Sequence, residues 1–222
     1  MIHRLLLACL LSLPLLANAQ SNATVASAAS SSAPRLGIDY EILPTAMPTY
    51  GQGGIEVAEV FGYVCIHCAH FQPYVDVWKK KLPADVRFEY VPAAFGNPWD
   101  NFARAFYAAQ MLGVQEKTHD AVFNAIFVDH SLAANASLEQ IADAYGKFGV
   151  DRDKFFSTMR GYEVSAKLNT ARQFAIAGAV DGTPTIIVAG KYRLKETTDR
   201  GAEGMLATVD FLIARERRKA GR

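Results

Sequence analysis

Short apolar runs and longer periodic segments alternate in the first half of this chain. Residues 55–64 and 86–91 are rich in β-branched and aromatic side chains, so each predicts a strand, and residues 39–43 predict a shorter edge strand. Residues 65–81 place apolar side chains three and four positions apart, which predicts a helix. A strand, a helix and a second strand in this order predict a parallel pair within an α/β sheet.

A helical pattern without strands follows in the middle of the chain. The apolar periodicity predicts helices at 99–113, 116–130, 137–148 and 151–160. Ser137 and Gln140 have the spacing of a capping box, which supports the start of the third of these helices. We therefore expect an all-helical subdomain, at about residues 98–161, inserted into an α/β domain.

The strand pattern returns in the last quarter of the chain. Residues 185–189 and 192–194 predict a hairpin that turns at residues 190–191. Helices are predicted on either side of it, at 162–177 and 202–219. The predicted fold class is α/β, with one domain over residues 38–222 that carries the helical insertion.

The N-terminus has the three parts of a secretory signal peptide. Residues 1–4 are short and basic, residues 5–16 are almost wholly apolar, and residues 17–19 supply the small-x-small pattern of a cleavage site. We expect residues 1–19 to be removed on export. The Ser/Ala-rich residues 20–37 then predict a flexible tether.

The composition narrows the class of protein without identifying it. Hydrophobic residues make up 50% of the chain, charged residues 20%, and the formal net charge is +1. This balance is typical of one globular domain with a sizeable core, and it gives no indication of nucleic-acid binding.

Two cysteines remain once Cys9 is lost with the signal peptide, and they form a C-x-x-C motif where a strand meets a helix. Unpaired N–H groups at a helix start favour an anion, so we expect Cys65 to have a lowered pKa and to act as the nucleophile. Cys68 lies one turn later, faces inward and closes the disulfide. His67, between them, can donate a hydrogen bond to the Cys65 sulfur.

A structural zinc site is the alternative for the same residues. Cys65, Cys68 and His70 could supply three ligands, and His119 or His130 a fourth. No second C-x-x-C and no closely spaced histidine pair accompanies them, and zinc sites usually have one or the other. Catalytic thiol chemistry is therefore the favoured reading of the motif.

The motifs taken together resemble the thioredoxin superfamily, and within it the DsbA family of periplasmic thiol oxidases. The resemblance covers nearly everything after about residue 38. It rests on the segment F-G-Y-V-C-I-H-C at 61–68, on Pro73, and on residues 79–86, 182–185 and 190–194. It implies a thioredoxin-like fold with a mixed sheet flanked by helices. The DsbA family is itself an established example of a depressed cysteine pKa and an oxidising disulfide, so the resemblance implies both properties here.

The resemblance also implies roles for the residues around the cysteines. Pro184 matches a family proline that is cis and faces the cysteines, whereas sequence alone would favour a trans bond. Thr183, where valine is common in the family, would then pair its backbone with a substrate strand. Ile66 stands where the family usually has proline, and it keeps an apolar surface for substrate beside Cys65.

Glu59 is the remaining candidate. It shares one face of its strand with Ile55, Val57 and Phe61, so a lone carboxylate lies among apolar side chains. The resemblance implies that a buried acid here relays the proton of Cys68. The alternative is an acid at a strand edge that reaches water. Residues 87–90 of the next strand offer no lysine partner for it.

The expected activity is that of a monomeric periplasmic oxidoreductase that donates the Cys65–Cys68 disulfide to reduced, newly exported proteins. The resemblance implies no cofactor or metal, no nucleic acid, and reoxidation by a DsbB-type, quinone-linked enzyme of the inner membrane. Three alternatives stay open. They are a disulfide isomerase or reductase, a peptide-binding or zinc-binding module without enzymatic activity, and an enzyme that acts on a glutathione-type substrate.

Overall fold

The computed structural model describes residues 33–221. The predicted signal peptide at 1–19 and most of the predicted tether at 20–37 lie outside the described residues. The strands are β1 Glu41–Ile42, β2 Ile55–Phe61, β3 Val86–Pro92, β4 Thr185–Val188 and β5 Tyr192–Lys195. The helices are α1 Ile66–Lys79, α2 Trp99–Met111, α3 Gln115–Phe127, α4 Leu138–Lys147, α5 Arg152–Met159, α6 Tyr162–Ala177 and α7 Gly201–Lys219.

The strands form one mixed sheet in the order β1-β5-β4-β2-β3. The β2–β3 pair is parallel, as the strand-helix-strand pattern predicted, and the other pairs are antiparallel. All seven residues of β2, an interior strand of the sheet, are buried. The predicted α/β fold class, with a mixed sheet flanked by helices, is therefore confirmed.

The helices lie where the apolar periodicity placed them, with ends within three residues of the predicted ones. The capping box of α4 is present, because the Ser137 hydroxyl accepts from the Gln140 N–H and the Gln140 side chain accepts from the Ser137 N–H. Strand β2 ends three residues earlier than predicted. The chain turns after Phe61, and the N–H of Cys65 donates to the carbonyl of Gly62 at 3.0 Å.

Two hydrophobic clusters pack against the sheet, and α1 contributes to both. The cluster on the side of α2–α6 includes Cys68 and a group of aromatic side chains: Phe61, Tyr63, Phe102, Phe106 and Phe123. The cluster beneath α7 includes Phe71 and Val75 of α1 together with Val209 and Leu212. Burial of this much apolar surface is the main force that fixes α1, and with it the cysteine pair, against the sheet.

Gly62 allows the turn before Cys65 to pack against the insertion. A methyl group at this position would overlap the Trp99 ring, which packs directly on the glycine. We expect Gly62→Ala to lower the free energy of unfolding by about 1–3 kcal/mol, because the ring would have to move. Urea denaturation measures this change.

Gly146 of α4 provides the control for that substitution. A methyl group there would meet Arg152 Cβ at 3.5 Å, an ordinary contact. Gly146→Ala is expected to stabilise the protein, by up to about 1 kcal/mol, since alanine is the better helix former. Equal effects from the two substitutions would contradict the close packing of Trp99 on Gly62.

Candidate active site

The two cysteines lie at the start of α1, just beyond the C-terminal end of strand β2. Cys65 is the N-cap residue of the helix and is partly exposed, and no side chain caps the helix start. Cys68 lies one turn along and is 1% exposed. Both carry free thiols in this structure. A thiolate at Cys65 can therefore accept hydrogen bonds from the unpaired N–H groups at the start of the helix.

The surroundings shift the pKa values of the two thiols in opposite directions. A hydrogen bond from the Cys68 thiol is the largest influence that lowers the pKa of Cys65, to about 5. The Thr183 side chain and the backbone N–H groups of Cys68 and His67 lower it further, against an opposing effect of burial. Burial raises the pKa of Cys68 well above its ordinary value, and the nearby Cys65 and Glu59 add to the rise.

Thr183 contacts Cys65, and the peptide bond between Thr183 and Pro184 is cis. The Cys65 thiol donates to the Thr183 carbonyl oxygen, with 3.3 Å between sulfur and oxygen. The Thr183 hydroxyl oxygen is buried and has no hydrogen-bond partner among the described residues. A thiolate at Cys65 gives this hydroxyl an acceptor, which is how the side chain lowers the pKa of Cys65.

A cleft of about 610 Å³ opens beside the cysteines. It is lined by His67, Asp181, Gly182, Thr183, Pro184, Lys195, Glu196, Thr197 and Thr198. The side chain of His67 is exposed at its edge, and Ile66 next to it is 40% exposed. The cleft therefore brings together His67, Thr183 and Pro184 of the predicted site, and the partly exposed Cys65 contacts Thr183 beside it.

Glu59 is buried, 1% exposed, on the interior strand β2, so the alternative of an acid that reaches water at a strand edge is wrong. Its Oε2 atom has no hydrogen-bond partner among the residues that the structure describes. Burial raises the pKa of Glu59 to about 8, which Lys79 opposes and which Asp76 and Cys65 increase. At neutral pH the side chain is therefore mostly a neutral acid.

The lysine near Glu59 comes from α1, whereas the sequence analysis sought it in β3. Lys79 Nζ lies 2.7 Å from Asp76 Oδ1 and 3.3 Å from the Tyr90 hydroxyl. Tyr90 of β3 is the residue opposite Glu59 in the parallel pair. The missed signal was helical spacing, because Gln72, Asp76 and Lys79 recur at four and three residues and so share one face of α1.

The histidines of the zinc alternative do not gather at the cysteines. Both ring nitrogens of His119 form hydrogen bonds, to Tyr63 and to Gln72, and His130 Nδ1 contacts the Ile126 carbonyl. His70 is exposed. Within residues 33–221, no group of three or more His, Cys, Asp or Glu side chains is arranged to hold a metal ion.

Comparison with known proteins places this geometry in a family. Residues 98–205 match the model of the DSBA-like thioredoxin domain. The chain is 39% identical over 184 residues to the thiol:disulfide interchange protein DsbA of Pseudomonas aeruginosa, covering 83% of this chain and 86% of the relative. These 184 residues extend well beyond the matched domain.

Solved structures give the same picture. The oxidoreductase DsbA of Xylella fastidiosa superposes with a TM-score of 0.78 at 41% identity, covering 83% of this chain and 98% of the other. DsbA of Pseudomonas aeruginosa superposes with a TM-score of 0.80 at 38% identity, covering 85% and 97%. These similarities extend the match in sequence to the whole described fold.

The raised pKa of Glu59 makes stability depend on pH. The folded pKa of about 8 lies above the ordinary 4.5, so the folded state holds the proton more tightly and stability falls as pH rises between these values. Glu59→Gln keeps the shape and removes this effect. We expect the variant, compared with the parent in the same redox form, to gain about 1 kcal/mol of unfolding free energy per pH unit across the window.

Urea denaturation from pH 4.5 to pH 8 measures this difference. Glu139→Gln is the control, because Glu139 is exposed and its pKa is lowered, so it should not reproduce the trend. A difference between Glu59→Gln and the parent that stays constant with pH would show that the Glu59 pKa is not raised.

Proposed function

Because the chain belongs to the DsbA family of thioredoxin-fold thiol:disulfide oxidoreductases, we propose that it oxidises the thiols of newly exported proteins in the periplasm. The observation that carries this proposal is the contrast between its two thiols. The pKa of Cys65 is lowered to about 5, and the pKa of Cys68 is raised well above its ordinary value. A disulfide that releases a stable thiolate at Cys65 is readily passed to another protein.

The reaction transfers one disulfide and two electrons. A substrate thiolate attacks Cys65 Sγ of the oxidised pair, the Cys65–Cys68 bond breaks, and Cys68 leaves as a thiolate that takes up a proton. A second substrate thiolate then attacks the substrate sulfur of the mixed disulfide. The substrate is left with a disulfide, Cys65 is released as a thiolate, and the enzyme is reduced.

The residues around the pair have separate roles in this proposal. The cis bond at Pro184 and the backbone of Thr183 present an edge on which an extended substrate segment can pair by β-addition. Ile66 supplies an apolar contact beside Cys65. His67 supports the Cys65 thiolate, through the backbone N–H that lowers the pKa of Cys65 and through a side chain at the edge of the cleft.

Glu59 is proposed to supply the proton that Cys68 needs. Cys68 is buried, so its thiolate is costly and must be neutralised as it leaves. The pKa of Glu59 of about 8 keeps a proton available at neutral pH, and Glu59 lies close enough to Cys68 for its ionised form to raise the Cys68 pKa. After transfer, the carboxylate is opposite in charge to the nearby Lys79 and recovers its proton from solvent.

The proposal also covers export, domain organisation and reoxidation of the chain. Residues 1–19 direct export and are removed, residues 20–37 act as a tether, and residues 38–222 form the oxidase domain with its insertion at about 98–161. The protein works as a monomer, and a DsbB-type inner-membrane enzyme restores the disulfide. No helix in the described part of the chain has the length and apolar character to cross a membrane. No observation favours isomerase, reductase or binding-module activity.

The Thr183 hydroxyl offers a direct test of thiolate stabilisation. Thr183→Val removes one of the groups that lower the pKa of Cys65, so the pKa should rise above about 5. The rate of alkylation of Cys65 by iodoacetamide, followed from pH 3 to pH 9, measures this pKa. Thr198→Val is the matched control and should titrate as the parent does, because Thr198 lines the same cleft but is not among the groups that lower the pKa of Cys65. Identical alkylation profiles for both variants would show that the Thr183 hydroxyl does not stabilise the Cys65 thiolate.

The direction of the reaction is tested by comparing the two redox forms. The Cys65 pKa of about 5 lies below the ordinary 9.0, so the thiolate stabilises the folded reduced form fully above pH 9, and this stabilisation is lost as pH falls through 5. We expect the reduced form to melt at the higher temperature at pH 7, with a gap that narrows towards pH 5. Thermal unfolding monitored by circular dichroism measures the gap.

Oxidation of a reduced two-cysteine peptide completes this test. The oxidised protein should convert the peptide to its disulfide in one turnover, and Cys65→Ser should abolish the reaction. An oxidised form that melts higher than the reduced form at pH 7 would overturn the oxidase direction. Peptide oxidation that persists in Cys65→Ser would overturn the thiol mechanism itself.

A further inference from the structure

His119 lies in the helical insertion but reaches the turn that carries the cysteines. It belongs to α3, and its side chain is 3% exposed. The imidazole is enclosed by five aromatic rings, with centroids 4.5–6.1 Å away: Phe61, Tyr63, Tyr90, Phe106 and Phe123. A polar ring in such an apolar enclosure costs free energy unless its nitrogens are hydrogen-bonded.

Both ring nitrogens of His119 are hydrogen-bonded. The Tyr63 hydroxyl lies 2.8 Å from Nδ1, and Gln72 Oε1 lies 3.2 Å from Nε2. The Gln72 amide nitrogen donates to Asp76 Oδ1 at 3.0 Å, and a carboxylate can only accept, so the amide oxygen is the atom that faces His119.

This orientation fixes the tautomer of His119. The amide oxygen of Gln72 is an acceptor, so Nε2 carries the proton and donates to it. Nδ1 is then unprotonated and accepts from the Tyr63 hydroxyl. Burial also lowers the pKa of His119 to about 3, so the ring stays neutral and keeps these two roles at the pH of most compartments.

The two partners of His119 lie on opposite sides of the cysteine pair. Tyr63 is two residues before Cys65, in the turn that leaves β2, and Gln72 is four residues after Cys68, one turn further along α1. One side chain of the insertion therefore holds both the entry to the C-x-x-C motif and the helix that follows it.

We propose that His119 is a positioning residue for the redox pair, which holds the turn before Cys65 and the first turns of α1 in the geometry that stabilises the Cys65 thiolate. The N–H groups of His67 and Cys68 must point at the sulfur to do so. Their direction depends on how the turn at 62–64 and the start of α1 are held. The insertion thus takes part in the chemistry, although it contributes no atom to the sulfur.

The inference rests on the proposed role of Cys65 as the reactive thiolate. An apolar side chain of similar size would fill the aromatic enclosure equally well and would avoid the cost of a buried imidazole. The imidazole differs from such a side chain in its two hydrogen bonds. The experiment must therefore separate the effect of these bonds on Cys65 from their effect on stability.

Two variants each remove a hydrogen bond to His119 without emptying the core. Gln72→Met also removes the bonds of Gln72 to Asp76 and Tyr90, so Tyr63→Phe is the more specific of the two. Tyr63→Phe deletes the donor to Nδ1 and keeps the ring, and Gln72→Met deletes the acceptor for Nε2 at similar volume. Tyr107→Phe is the matched control, because Tyr107 is also a fully buried tyrosine of the cluster on the side of α2–α6, the insertion-side cluster. Its hydroxyl pairs at 2.6 Å with Tyr50, away from the cysteines.

Three quantities are measured on each reduced full-length protein. They are the pKa of Cys65 from iodoacetamide alkylation, the equilibrium constant with glutathione, and the midpoint of urea denaturation. Tyr63→Phe and Gln72→Met are expected to raise the pKa of Cys65 by about half a unit and to shift the glutathione constant by about threefold towards the disulfide, as the loss of one hydrogen bond would. Tyr107→Phe is expected to lower the denaturation midpoint alone.

The possible results are distinct. If the two variants change only the denaturation midpoint, as the control does, His119 is structural and the inference is overturned. If Cys65 of the parent protein already titrates like a free cysteine, the proposed function fails, and the variants are not needed to show it. A Cys65 pKa that is raised in both variants but unchanged in the Tyr107→Phe control supports the positioning role.

Discussion

The structure depends on stabilising a thiolate at Cys65, at the start of a helix, while the sulfur of Cys68, one turn away, stays buried. The helix start, the Thr183 hydroxyl and the Cys68 thiol all act on the Cys65 sulfur. None of them would hold position without the two clusters that clamp α1 to the sheet. The redox chemistry is thus a property of packing as much as of the C-x-x-C sequence.

Strand β2 carries two buried acids, and they differ in their hydrogen-bond partners. The carboxylate of Glu56 accepts from the N–H groups of Tyr50 and Gly51 and from Arg87, at 2.7–2.8 Å. Glu59 has an oxygen with no such partner among the described residues. A fully satisfied buried carboxylate is a structural element, whereas an unsatisfied one is retained at a cost that stability alone does not explain.

Periodicity along the chain was enough to place the helices, the parallel pair and the cysteines at a helix start, because these depend on residues close in sequence. The same was true of the burial of Glu59, which follows from alternation along β2. Helical spacing groups Lys79 with Gln72 and Asp76 on one face of α1, but neither the proximity of that face to Glu59 nor the bonds of His119 to Tyr63 and Gln72 could be found this way. They join elements that are far apart in the chain, and a single sequence carries no register between α1, β3 and α3.

The placement of Cys68 in the insertion-side cluster has a consequence for regiochemistry. An incoming thiolate meets a disulfide with one accessible sulfur and one that is shielded by α2–α6 packing. Attack is thereby confined to a single end of the bond, and every mixed disulfide is formed at the same atom.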